Sequence, residues 1–254
     1  MPLSLSALIG LLIPFLGTSL GAASVFLFRK SPSESVEKLL FGFASGVMIA
    51  ASVWSLLVPS IEMTEASGGI GWFPATVGLL LGVAFLSAID LFFPESEAGQ
   101  GGERYSMLFF SVTLHNLPEG MAVGVVYAAL LGGAEGASVA SALTLSLGIA
   151  LQNLPEGAVV SMPMASGGAS RARSFWVGVL SGAVEPLGGA VMLLLSAYLS
   201  PVLPYLLSFA AGAMLHVVVR ELVPASQTGR GYLFGVLGVS LGFSLMMVLD
   251  VAFG

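Results

Sequence analysis

Long apolar runs alternate with short polar joints along the whole chain. A predominantly apolar run of about 20 residues is long enough to cross a bilayer as a helix. Eight such runs are present, over about 3–28, 38–59, 73–93, 105–131, 137–163, 174–198, 203–223 and 232–253. The joints between them carry turn residues, among them Lys30-Ser31-Pro32-Ser33, Glu65-Ala66-Ser67-Gly68-Gly69, Gly132-Gly133, Gly167-Gly168 and Gln227-Thr228-Gly229. The pattern predicts an all-α, polytopic membrane protein with eight transmembrane helices, forming a single transmembrane domain over 1–254.

Composition makes lipid the solvent. Only 9% of residues are charged, against 56% hydrophobic, and the mean hydropathy is +0.99. Soluble domains carry about 25% charged residues, which this chain lacks to cover its surface. The 33 glycines suit close helix packing in a lipid bilayer and allow a homodimer. There is no cysteine, which excludes disulfides and thiolate metal sites. No basic tract suits a nucleic acid, and no glycine-rich loop suits a nucleotide.

The basic residues set the orientation. Arg29, Lys30, Lys38, Arg104, Arg171, Arg173, Arg220 and Arg230 all lie in or beside the joints after runs one, three, five and seven. Those joints are expected to be cytoplasmic, with both termini outside. The first run has its basic residues after the apolar part, so it is expected to be a retained helix. Short joints point to a multi-pass protein of the bacterial cytoplasmic (inner) membrane.

Three glutamates sit deep in predicted spans: Glu119, Glu156 and Glu185. A charge at mid-membrane costs about 2.5–3.5 kcal/mol on insertion scales. No lysine or arginine lies at matching depth. Protonation, water or a cation must therefore neutralise them, and their neighbours favour a cation. His115 and Glu119 are four residues apart and share a helix face; Gln152 and Glu156 repeat that spacing. Asn116 and Asn153 lie one step around. Pro118 and Pro155 should free the carbonyls of Leu114 and Leu151. Adjacent, antiparallel helices four and five would then relate the two motifs by an approximate two-fold axis in the membrane plane. Interrupted helices in inverted repeats commonly place a transporter's site at the midplane. Nitrogen and oxygen ligands without sulfur suit zinc, iron(II) or manganese, whereas magnesium and calcium prefer oxygen alone.

HNLPEG (115–120) and QNLPEG (152–157) resemble the signature of the ZIP (Zrt-, Irt-like protein) divalent metal transporters. SGAVEPLGG (181–189) and AAGAMLHVVVRELVP (210–224) resemble that family's sixth and seventh helices. The resemblance implies a binuclear centre midway across the membrane. His115, Glu119, Gln152 and Glu156 would form its primary site. Asn116, Asn153 and Glu185 would form the adjacent one, with Glu119 and Glu156 bridging. It also implies movement of Zn(2+), and of Cd(2+), Fe(2+) or Mn(2+), toward the cytoplasm by alternating access. Helices four and five would shift against helices two and seven. Met48, Ser55 and Glu62, seven residues apart on helix two, would mark the entrance and pathway. His216 and Glu221 would lie on the exit side.

The chain departs from the family pattern in places. Position 153 is Asn where some relatives carry an acid, and helix seven has Arg220-Glu221 in place of a His-Glu pair. The histidine-rich cytoplasmic loop of many relatives is absent. Arg220 is expected to anchor its helix at the interface. Two other functions compete. A proton- or sodium-coupled carrier of an organic solute would use the glutamates as relays but leave His115 and Gln152 without a purpose. An intramembrane metal-dependent hydrolase would need a water-activating motif such as HExxH, which is missing, so no enzyme activity is expected.

Overall fold

The computed structural model describes residues 3–27, 33–92, 102–134, 137–198, 202–229 and 231–253. Among the described residues the chain forms eight helical rods and no strand. We number them α1 (Leu3–Leu27), α2 (Glu34–Ala66), α3 (Trp72–Phe92), α4 (Gly102–Leu131) and α5 (Val139–Ser166). α6 consists of Arg171–Gly182 and Val184–Tyr198, α7 is Leu203–Gln227, and α8 is Tyr232–Phe253.

The rods follow the eight apolar runs, but several continue past them. α2 starts at Glu34 and ends at Ala66, and α7 ends at Gln227. The added turns are polar, and a helix backbone does not require apolar side chains to continue. Glycines end several of the rods; among them, Gly68 (φ 80°) follows α2 and Gly168 (φ 99°) follows α5. Both adopt the left-handed conformation that a side chain resists.

Six rods are long and apolar enough to cross a membrane, and α4 adds the shorter apolar segment Asn116–Leu131. Large apolar side chains point outward along them, including Leu16, Leu80, Leu187, Leu194, Leu241 and Val251. In water such a coat would drive aggregation; in hydrocarbon it is the ordinary surface of a membrane protein.

The rods pair in a regular way. The most extensive contacts are α1 with α5, α4 with the second half of α6, α2 with α8, and α3 with α7. Exchanging α1 for α6, α2 for α7, α3 for α8 and α4 for α5 returns the same set of pairs. The sequence carries the same repeat. FASGVM (43–48) on α2 matches FAAGAM (209–214) on α7. Gly78, Gly82 and Asp90 on α3 match Gly238, Gly242 and Asp250 on α8. Close approach explains the glycines: a Cβ on Gly82 would collide with the Phe209 carbonyl, and one on Gly242 with that of Phe43.

Proline acts differently in different rods. α2 and α7 each widen into a π-helical stretch, Ser52–Leu57 and Val218–Leu222, just before Pro59 and Pro224. A proline lacks the N–H for the carbonyl four residues back and crowds it, and the wider turn makes room. α6 breaks at Ala183, ahead of Pro186. α4 and α5 run on through Pro118 and Pro155, so the motif helices are continuous rather than interrupted.

Candidate metal centre

α4 and α5 bring their motifs together in the interior. Asn116, Glu119, Gln152, Asn153 and Glu185 are fully buried, and Glu156 is nearly so. Gln152 Nε2 donates to Glu119 Oε1 at 2.6 Å, joining the two motifs across the helix pair. Glu119 lies within electrostatic reach of both Glu156 and Glu185. The side chain of His115 lies outside the described residues.

Two further helices complete the walls. Asn116 Nδ2 donates to the Ser181 carbonyl of α6 at 2.9 Å, and Asn153 Nδ2 to the Pro14 carbonyl of α1 at 3.5 Å. Four residues beyond these carbonyls stand Glu185 and Thr18. Thr18 Oγ1 donates to Glu185 Oε1 at 2.5 Å. Gly120 packs on the backbone of Glu185 and Gly157 on that of Thr18, each so closely that a Cβ would collide. The break in α6 also places Glu185 in the first turn of a helix, where the helix dipole favours a carboxylate.

The residues gathered here are acceptors. Asn116 Oδ1, Glu119 Oε2, Gln152 Oε1, Asn153 Oδ1 and Glu185 Oε2 are all buried and lack a hydrogen-bond partner of good geometry, although the Asn153 amide lies near the carboxylates of Glu119 and Glu185. Each such group costs about 1–3 kcal/mol when nothing satisfies it. Among the described residues no basic side chain pairs with Glu119 or Glu185. Nor, among them, do three or more histidine, aspartate or glutamate side chains close into a ready-made cage. The arrangement is an open cluster of carboxylate and amide oxygens suited to a cation.

A cavity of about 240 Å³ opens at one end of the bundle. Its polar lining is Ser55 and Glu62 of α2, Ser141 of α5 and Asp250 of α8. Val126 of α4 also lines it, seven residues from Glu119, or about 10 Å along the helix. Of the three α2 positions on one expected stripe, Ser55 and Glu62 reach this cavity, whereas Met48 is fully buried and does not line it. The π-helical turn lies between Met48 and Glu62 and shifts the helical register there. Asp250 Oδ1 accepts from Ser55 Oγ at 2.6 Å, and its buried Oδ2 has no hydrogen-bond partner.

The other end of the bundle holds a charged cluster. Asp90 lies 18 residues along α3 from Trp72, about 27 Å from the end where α2 turns into α3. His216 Nε2 lies 2.7 Å from Asp90 Oδ2, and its Nδ1 lies 3.3 Å from Ser87 Oγ. Arg220 Nη1 pairs with Asp90 Oδ1 and stands 4.0 Å from Glu221 Oε1. Arg220 is therefore tied to α3 by an ion pair.

The ZIP Zinc transporter family model matches residues 94–250. The chain belongs to this family. It is 35% identical to human zinc transporter ZIP11, over 98% of this chain and 97% of that protein. It is also 35% identical to zinc transporter GufA of Myxococcus xanthus, over 98% of this chain and 99% of that one. Identity to zinc transporter ZupT of Salmonella heidelberg is 30%, over 96% and 100%. A transporter family, not an enzyme family, thus frames the site, and the chain is an integral membrane protein.

Reading the sequence alone missed Thr18, Asp90 and Asp250. The two aspartates left a trace, since each ends an apolar run at the same distance from a pair of glycines. Thr18 left none, because a hydroxyl in a greasy helix commonly bonds its own backbone.

Proposed function

We propose that this protein carries divalent transition-metal ions across the membrane, zinc first among them, through the cluster between α1, α4, α5 and α6. Family membership carries the class of cargo. The observation that carries the site is the set of five buried oxygens, on Asn116, Glu119, Gln152, Asn153 and Glu185, that lack a hydrogen-bond partner of good geometry. Glu119, Gln152, Glu156 and His115 hold the first ion. Asn116, Asn153 and Glu185 hold a second beside it, with Glu119 and Glu156 shared. An ion held here takes amide oxygens along with carboxylates, which keeps binding weak enough for release. Cadmium, iron(II) and manganese fit the same ligands, because mixed nitrogen and oxygen sites discriminate poorly among them.

The helix pairing supports a moving part and a fixed part. α1, α4, α5 and α6 enclose the cluster, and α2, α3, α7 and α8 pair among themselves. Displacement of the first group against the second exposes the cluster to each side in turn. The basic joints support a cytoplasmic Asp90 end, and the family resemblance supports movement of the ion toward that side.

Zinc and cadmium flux into liposomes with a trapped fluorescent indicator tests this reading. Saturable flux is expected from the wild type and none from Glu119→Ala. A folded wild type without metal flux would overturn it and favour the solute-carrier alternative.

A further inference from the structure

The two ends of the bundle carry equivalent aspartates with unlike partners. Asp250 of α8 and Asp90 of α3 occupy matching places in the internal repeat. Each meets the residue four before the proline of a π-helical stretch: Ser55 before Pro59, and Arg220 before Pro224. Proline withdraws the N–H that would bond that residue's carbonyl, and the widened turn carries its side chain toward the aspartate.

The partners differ in charge. Asp250 receives only a hydroxyl, keeps one oxygen without a hydrogen bond, and shares its cavity with Glu62. That mouth lacks a cation of its own among the described residues. Asp90 has both oxygens engaged, Oδ1 by the Arg220 guanidinium and Oδ2 by His216. Glu221 Oε1 stands 4.0 Å from the same guanidinium nitrogen. All four side chains are partly exposed, between 15% and 34%.

We propose that Arg220 is a tethered cation that closes the Asp90–His216–Glu221 cluster to the transported ion. The proposal rests on the metal-transport reading above. Two carboxylates and an imidazole on facing helices are ligand types that zinc and cadmium accept, but with Arg220 in place they form no ready-made cage. A guanidinium keeps its charge at every physiological pH, so protons cannot remove it. An arriving metal ion would have to displace it from Asp90 and then sit beside it. Ions therefore dwell at the Asp250 mouth and pass the Asp90 mouth without stopping. Arg220 thus shapes where cargo rests, beyond the interfacial anchoring expected from its place near a helix end.

Equilibrium dialysis with radioactive Cd(2+) on the purified full-length protein tests this. Arg220→Ala is expected to bind one more ion per chain than the wild type. The double variant Arg220→Ala/Asp90→Asn should lose that extra ion. Arg220→Lys, which keeps the charge, should bind as the wild type does. Glu119→Ala, run alongside, reports on the central site: it should lose ions whether or not Arg220 closes the far cluster. Unchanged stoichiometry in a monodisperse Arg220→Ala protein would overturn the proposal, as would an extra ion that survives Asp90→Asn. Arg220→Gln replaces the alanine variant if the latter does not fold. Failure of both to give a monodisperse protein would make Arg220 a structural strut and equally overturn the proposal.

Discussion

The two halves of the centre are packed alike and bonded unlike. On α4, Asn116 donates to α6 and Gly120 rests on Glu185; on α5, Asn153 donates to α1 and Gly157 rests on Thr18. The backbone follows the repeat through α4 and α5, whereas α6 breaks at Ala183 where α1 runs on. The side chains break it at two places. His115 faces the role that Gln152 holds on the other copy, and Glu185 is matched by Thr18. Symmetry supplies the scaffold, and these exchanges supply a centre with three carboxylates instead of four. A fourth buried carboxylate would add another charge for the cargo to neutralise and would hold it longer. A hydroxyl donates instead, to Glu185 Oε1.

The largest expected effect comes from breaking the shared middle. Glu119→Ala removes the acceptor of Gln152 and the carboxylate near both other glutamates. Flux in liposomes should fall by more than the roughly 10–100-fold that loss of an outer-shell partner costs. Next comes the position where the halves differ. Thr18→Val deletes the donor to Glu185 and should weaken apparent cadmium affinity by about 10-fold, with Thr18→Ser restoring it. Equal affinity in Thr18→Val would mean that Glu185 holds its place without α1. Acidity acts on both halves together. Metal binding needs ionised glutamate and neutral histidine, so protons compete, and apparent affinity should be several-fold lower near pH 5 than near pH 7. Equal affinity at both would count against carboxylate and imidazole ligation.

The packing itself is tested where the halves agree. Gly120→Ala and Gly157→Ala each push a methyl group into a backbone carbonyl that cannot rotate away. Each should destabilise the protein by about 1–3 kcal/mol, and by similar amounts, in thermal unfolding in detergent. A cost confined to one copy would show that the repeat is looser than its geometry. The smallest effect belongs to the outer cavity. Glu62→Gln removes one exposed charge from the mouth, and should slow zinc entry by only about two- to threefold at low salt, fading as salt screens it.

Much of this architecture is legible in one dimension. Eight apolar runs gave eight rods, because a lipid-exposed helix must be apolar along its length and its ends are marked by glycine and polar residues. The paired NLPEG motifs pointed to the buried acceptors, because a carboxylate inside an apolar span needs a reason to be there. Other features were hidden. Pro118 and Pro155 promised interruptions that the helices do not show, while Pro59, Pro186 and Pro224 produced two widenings and one break. Local sequence fixes the missing N–H; the neighbouring helices decide whether the turn stretches, breaks or holds. Ser55 and Glu62 reach the cavity without Met48 because the widened turn sits on that stripe.

What the sequence determined by itself is the solvent, the rods and the chemical class of the buried groups. These follow from side-chain hydropathy and from the cost of charge in hydrocarbon, which are properties of single residues and their near neighbours. Which acceptors face one another belongs to the tertiary structure. Thr18 and Glu185 are 167 residues apart and meet at 2.5 Å. Asp90 and Arg220 are 130 apart, and an ion pair turns an anchoring arginine into the partner of an intramembrane acid. Such pairs are set by how helices cross, and crossing is governed by glycine contacts summed over the whole bundle rather than by any one segment.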